Sequence, residues 1–137
     1  MSRAVFIDTS AWWATSEPRE PRHRDAVRAY QRLLEQRAQI VTTNLVLAEM
    51  HALMARRRDP AAATEFLDLV HSDPTHDVRY VDRELEAAAA DRWLRVYRDQ
   101  RFSLTDACSF EVMRREGIRS ALALDRHFTA AGFDLLL

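Results

Sequence analysis

The sequence predicts an α/β fold in which one parallel β-sheet lies between layers of helices. Three observations carry this prediction. Short apolar runs of strand length occur at Ala4–Ile7, Ile40–Thr43, Val78–Val81 and Ala121–Leu124, with a last one at Asp134–Leu137. The longer segments between them place apolar residues at helical spacing. Strands that alternate with helices favour parallel neighbours, because a parallel pair needs a crossover connection and a helix supplies it.

Each element has its own reason. Val5-Phe6-Ile7 and Ala121-Leu122-Ala123-Leu124 are unbroken apolar runs, as strands buried on both faces require. Val78-Arg79-Tyr80-Val81 carries a charge in mid-strand and is expected near a sheet edge. After Pro21, Val27, Tyr30, Leu33 and Leu34 keep helical spacing. Asp59-Pro60 reads as an N-cap followed by proline at the first helical position, ahead of Phe66, Leu67, Leu69 and Val70. Asp82 is placed to cap an Ala-rich helix running towards Tyr97. Ser103 precedes a helix from Thr105 to about Arg115, which Gly117 terminates.

The whole chain reads as one domain, residues 1–137, since two glycines and four prolines offer no linker and there is no repeat or low-complexity tract. Its 47% hydrophobic and 30% charged content is that of a soluble globular protein. The N-terminal apolar run is too short for a secretory signal, and no stretch approaches the ~20 apolar residues of a membrane span, so the expected location is the cytoplasm. Cys108 is the single cysteine, which excludes an internal disulfide and a thiolate zinc cluster and leaves a small buried residue as its expected role. A formal charge of −1 argues against a protein that grips nucleic acid over its whole surface. With four of the 21 acids committed to a cation, however, 17 face 20 bases, which leaves room for a local basic rim. All 20 bases are arginine.

Four acids stand out by position. Asp8 directly follows the first interior strand and Asp125 the fourth, so parallel strands would bring both to one sheet edge, where ligands of such sheets collect. Taken singly, each is equally well a turn residue or a cap. Glu49 has Leu45, Val46, Ala52 and Leu53 three and four positions away, an apolar setting in which a carboxylate needs a cation, a hydrogen-bonding partner or a route to water. Asp106 closes Ser103-Leu104-Thr105-Asp106, which fits a capping box and equally a first-turn metal ligand. Two carboxylates at ~4 Å repel by about 4 kcal/mol at an effective dielectric near 20, so only a cation makes the four tolerable together. Oxygen donors point to Mg²⁺ or Mn²⁺ rather than Zn²⁺. His23, His51, His71, His76 and His127 show no metal-binding spacing and are expected to be solvated or packed in the core.

Val5-Phe6-Ile7-Asp8-Thr9-Ser10, Thr43-Asn44-Leu45-Val46-Leu47-Ala48-Glu49, Leu104-Thr105-Asp106-Ala107 and Ala123-Leu124-Asp125-Arg126-His127-Phe128 together resemble the PIN-domain family, specifically its VapC-like toxins. The resemblance implies a three-layer sandwich with a five-stranded parallel sheet whose order reverses between the strands carrying Asp8 and Asp125. It maps the family's acids onto Asp8, Glu49, Asp106 and Asp125, with Thr9 and Ser10 in supporting, hydrogen-bonding roles. Many relatives carry a further acid where this chain has His127, which leaves one metal or two open. The implied activity is Mg²⁺- or Mn²⁺-dependent endoribonuclease cleavage leaving 5′-phosphate and 3′-hydroxyl ends. The implied partners are RNA, a cognate VapB-like antitoxin and a second copy in a homodimer, with no membrane.

Arg56-Arg57-Arg58 and the row Arg92, Arg95, Arg98 and Arg101 are candidate phosphate contacts, although a spaced arginine row is more often a solvated helix face. Trp12 and Trp13 suit base stacking or, with better odds, packing. Two rival functions bear comparison. Aspartyl phosphotransfer at Asp8 lacks the lysine that steadies a phosphoryl group. A catalytically silent PIN-like module would bind RNA or protein without metal-dependent cutting.

Overall fold

The computed structural model describes residues 3–137. Its centre is a five-stranded, wholly parallel sheet of β1 (Ala4–Ile7), β2 (Gln39–Thr43), β3 (His76–Arg79), β4 (Ser120–Leu122) and β5 (Asp134–Leu135), in the order β3-β2-β1-β4-β5. Helices α1 (Thr9–Ser16), α2 (His23–Glu35), α3 (Asn44–Arg57), α4 (Pro60–Ser72), α5 (Arg83–Ala89), α6 (Leu104–Glu116) and α7 (His127–Ala130) flank it. The sheet grows outwards from β1 through β2 to β3, then resumes on the other side of β1 with β4. That reversal puts the carboxyl ends of β1 and β4 side by side, with Phe6 paired to Ala121 and Ile7 to Leu122.

Burial explains the apolar runs. Val5, Phe6, Ile7, Ala121 and Leu122 are fully buried, because helices cover both faces of the sheet. Phe6, Phe110 and Phe128 pack together in the core, the last two edge to face at 5.0 Å. Most helix starts are capped by side chains: Asp8, Thr43, Asp59, Asp82 and Ser103 each accept a first-turn N–H. Gly117 ends α6 with φ +66°, the left-handed conformation glycine adopts without cost.

Several boundaries differ from expectation, among them β4, which ends at Leu122 rather than Leu124, where the Leu124 N–H goes to the Ser10 hydroxyl instead of the ladder. The edge strand is His76–Arg79 rather than Val78–Val81, because its register is set by β2, with Ile40 opposite His76 and Thr43 opposite Arg79. Val81 leaves the ladder and donates its N–H to the Asn44 side chain at 2.8 Å. The helix after Asp82 stops being α-helical at Ala89 and continues as one π-turn, Ala90–Leu94, in which Arg95 N–H reaches the Ala90 carbonyl. That turn seats the buried Trp93 indole, which donates to Glu111 at 3.2 Å. The last strand keeps only Asp134 and Leu135, although Leu136 N–H still bonds the Ala121 carbonyl. No helix among the described residues is long and apolar enough to cross a membrane.

Candidate metal centre

Asp8 leaves β1 with its N–H on the Leu122 carbonyl of β4 (3.1 Å) and then caps α1. Its Oδ2 accepts the Ser10 hydroxyl at 3.1 Å, and that hydroxyl in turn accepts the Leu124 N–H at 3.0 Å. Ser10 therefore links the Asp8 carboxyl to the backbone of the residue before Asp125. Asp8 is only 5% exposed. Burial, and then the charge of Asp106, push its carboxyl up to about 6 against the opposing pull of the Thr9 and Ser10 N–H groups.

Asp106 sits in the first turn of α6, and the capping box is complete: Ser103 N–H donates to Asp106 Oδ2 and Asp106 N–H to Ser103 Oγ, both at 3.0 Å. The cap does not exhaust the carboxylate. His127 Nδ1 also contacts Oδ2 at 3.0 Å, so both bonds fall on one oxygen. Asp125 follows β4 and accepts the His127 N–H on Oδ1 at 2.9 Å, with His127 Nδ1 at 3.4 Å from the same oxygen. One ligand atom from each of Asp106, Asp125 and His127 lies within 4.8 Å of the others.

The apolar enclosure read around Glu49 is corrected, while two of the alternatives the sequence left, a route to water and a hydrogen-bonding partner, are met. Glu49 is exposed, because α3 turns Val46, Leu47, Met50 and Met54 to the core and leaves position 49 outside that stripe. Its apolar neighbours Leu45 and Leu53 are half-buried or packed on the core margin and do not enclose it. Thr9, the residue after Asp8, donates its hydroxyl to Glu49 Oε1 at 2.9 Å, which ties Glu49 to the end of β1. His127 is the second correction: expected to be solvated or packed in the core, it stands between two of the four acids. Its place two residues after Asp125 was the one signal in the sequence.

The arginine row is not a row. The α-helix ends before it, Arg92 pairs with Glu111 (3.2 Å) and Arg95 with Asp91 (3.0 Å), while Arg98 bonds the Arg95 carbonyl. Arg57 and Arg58 lie over the Trp13 ring at 5.9 and 5.8 Å, and Arg58 also donates to the Ser16 carbonyl. Both tryptophans are buried, as packing residues are. Cys108 is buried too, and burial raises its thiol to about 11.

A divalent cation fits this donor set. The carboxylates offer hard oxygen donors, and burial, followed by the charge of Asp106, disfavours the ionised Asp8 carboxyl, a cost that a cation would offset. In a parallel α/β sheet the switch point is where a ligand binds, and acids placed there suit a cation.

The chain belongs to the PIN-domain family, whose profile matches residues 5–134, and within it the chain is VapC-like. It is 36% identical over 129 residues to the 23S rRNA-specific endonuclease VapC20 of Mycobacterium tuberculosis, covering 94% of this chain and 95% of that one. The crystal structure of M. tuberculosis VapC20, described as a Sarcin-Ricin loop cleaving toxin, superposes with a TM-score of 0.82 at 35% identity, over 94% of this chain and 95% of the other. FitAcB from Neisseria gonorrhoeae shares the fold at a TM-score of 0.70 and 15% identity, over 97% and 96% of the two chains.

Proposed function

We propose that the protein is a divalent-metal-dependent endoribonuclease, the toxin of a toxin–antitoxin pair, and that Asp8, Glu49, Asp106 and Asp125 form its active centre. The observation that carries the reading is the approach of Asp106 to Asp125 and His127, with Asp8 at the adjoining end of β1 and within reach of the Asp106 charge, in a chain with likeness to an endonuclease over 94% of its length.

Asp8 and Asp106 would hold the ion directly, and Asp125 and Glu49 would complete the site directly or through water. When bound, Mg²⁺ or Mn²⁺ supplies an acidified water and neutralises charge developing on the phosphate. The chain's own part is orientation. Ser10 fixes Asp8 against β4, the capping box fixes Asp106, and Thr9 holds Glu49 at the rim. Arg126, exposed between Asp125 and His127, and Arg101, exposed two residues before the Ser103 cap, stand next to the centre in the chain and suit the flanking phosphates. The products carry 5′-phosphate and 3′-hydroxyl ends.

The likeness to VapC20 favours a structured ribosomal RNA loop as substrate, where splayed bases offer sequence-specific contacts. Such a substrate places the protein in the cytoplasm. Incubation of the purified protein with ribosomes and Mg²⁺ or Mn²⁺, followed by mapping of RNA 5′ ends, is expected to show one discrete cut that EDTA prevents. Equal cutting by a folded Asp8→Asn variant, or cutting indifferent to EDTA, overturns the assignment.

A cognate antitoxin has a fitting surface in the groove of ≈ 690 Å³ bordered by α1, α2 and α4. Leu34 and Leu69 stand exposed on its rim, and the Trp12 indole N–H is buried there without a hydrogen-bond partner, while His76 Nδ1 has only Asp73 at 3.8 Å. An amphipathic antitoxin helix with one polar side chain on its buried face would cover the leucines and satisfy the indole. Leu69→Asp is expected to abolish neutralisation by the antitoxin while leaving RNA cleavage intact. The homodimer implied by the resemblance is tested by the mass of the purified protein in solution.

A further inference from the structure

We propose that His127 is itself a ligand of the bound cation, through Nδ1, which makes the centre a mixed nitrogen–oxygen site that prefers Mn²⁺ to Mg²⁺. This rests on the carboxylates forming a metal centre as proposed above, and goes beyond that reading, which uses oxygen donors alone.

His127 Nδ1 lies 3.0 Å from Asp106 Oδ2 and 3.4 Å from Asp125 Oδ1. Donor atoms that share one ion with bonds of ~2.1 Å stand about 3 Å apart, so the separations of Nδ1 from both carboxylates are close to those that joint ligation would need. A single N–H cannot serve two acceptors well, whereas one lone pair directed at an ion between them serves all three groups. The ring is held for this. Its backbone N–H grips Asp125 Oδ1 at 2.9 Å, and Phe102 packs against it edge to face at 5.4 Å. His127 is 31% exposed, so an ion and its waters can reach it. Ligation needs only the neutral tautomer with hydrogen on Nε2, and it replaces the Nδ1 contact to Asp106 by two bonds to the same cation.

The donor type then sets the preference. Mg²⁺ gives up water reluctantly and favours oxygen, while imidazole affinity rises from Mn²⁺ along the transition series. His127 therefore tilts the centre away from Mg²⁺, where an aspartate at the same position would tilt it back.

The test is pulsed electron paramagnetic resonance on the full-length protein loaded with Mn²⁺, which reads nitrogen bound to the ion rather than turnover. The native protein is expected to show ¹⁴N modulation from one imidazole, absent in His127→Ala and His127→Asp. In titrations, His127→Ala is expected to lose about tenfold in Mn²⁺ affinity and less in Mg²⁺ affinity. His127→Asp is expected to bind both ions with the Mn²⁺ preference reduced, which also shows that the folded centre survives. Bound Mn²⁺ without ¹⁴N modulation in the native protein, or modulation that persists in both variants, overturns His127 as the ligand and leaves the carboxylate centre standing. Failure of the native protein to bind Mn²⁺ or Mg²⁺ overturns the centre and the ligand together.

Discussion

Helix α6 carries two buried acids five residues apart, and their surroundings are opposite. Asp106 stands with Asp8, Asp125 and a single imidazole, and its charge helps to push the Asp8 carboxyl up to about 6. Glu111 is fully buried, yet Arg92 Nε is 3.2 Å away, Arg114 Nη2 2.8 Å and Arg115 Nε 3.0 Å, and Trp93 donates its indole N–H. Burial pushes the Glu111 carboxyl up, but the bonds from Arg114, Arg115 and Trp93 outweigh it and hold the group down at about 2. Glu84 extends the network through Arg115 at 2.7 Å. One cluster is complete in protein alone. Among the described residues the other pairs with no arginine and only with the His127 imidazole, which is what separates a structural acid from one awaiting a ligand.

The contrast breaks most sharply on activity. Asp8→Asn is expected to reduce metal-dependent RNA cleavage by about 10³-fold or more while the protein stays folded, because the amide removes an anionic ligand and keeps the Ser10 bond. Steady-state cleavage with near-native circular dichroism checks it. Near-native cleavage would show that Asp8 is as structural as Glu111. The reciprocal change, Glu111→Gln, is expected to cost about 2–4 kcal/mol of stability, nearer the lower figure because the arginines reach water, with cleavage per folded molecule unchanged. Denaturant unfolding beside active-site titration separates the two effects. Lost cleavage without lost stability would move Glu111 into the centre.

How far these roles were legible depended on whether their partners were near in sequence. Asp8, Asp125 and the Ser103–Asp106 box could be read because a strand end and a capping spacing are local, and parallel topology then supplies the meeting point. The enclosure of Glu49 was overestimated, because apolar neighbours at three and four positions mark a stripe without fixing its edge and residue 49 lies just off it, with water and Thr9 meeting the need the sequence did show. The contact of His127 with Asp106 escaped because the two lie 21 residues apart, although its place two residues after Asp125 was visible. Glu111 was not singled out, although Arg114 and Arg115 at three and four positions are a helical pairing pattern that would have shown it. The π-turn at Ala90–Leu94 follows from seating Trp93 on Glu111, a tertiary demand that leaves no periodic trace.

The smallest effect is the most diagnostic, since the two acids should drive stability in opposite directions with pH. Glu111 is lowered in the folded state, so its contribution is present above the ordinary value of 4.5 and is lost as pH falls towards 2. Asp8 is raised, so in the metal-free protein its contribution is full below 3.8 and is lost as pH climbs through about 6. Above that pH the ionised Asp8 costs up to about 3 kcal/mol. Measured in EDTA, Asp8→Asn should therefore unfold at nearly the native temperature at pH 4 and at a higher one at pH 7.5. Saturating Mg²⁺ or Mn²⁺ should close or reverse the gap by stabilising the native protein alone, by about 2.7 kcal/mol at a hundred times the dissociation constant. A gap that is flat with pH, or untouched by metal, would mean that Asp8 is neutralised within the protein as Glu111 is.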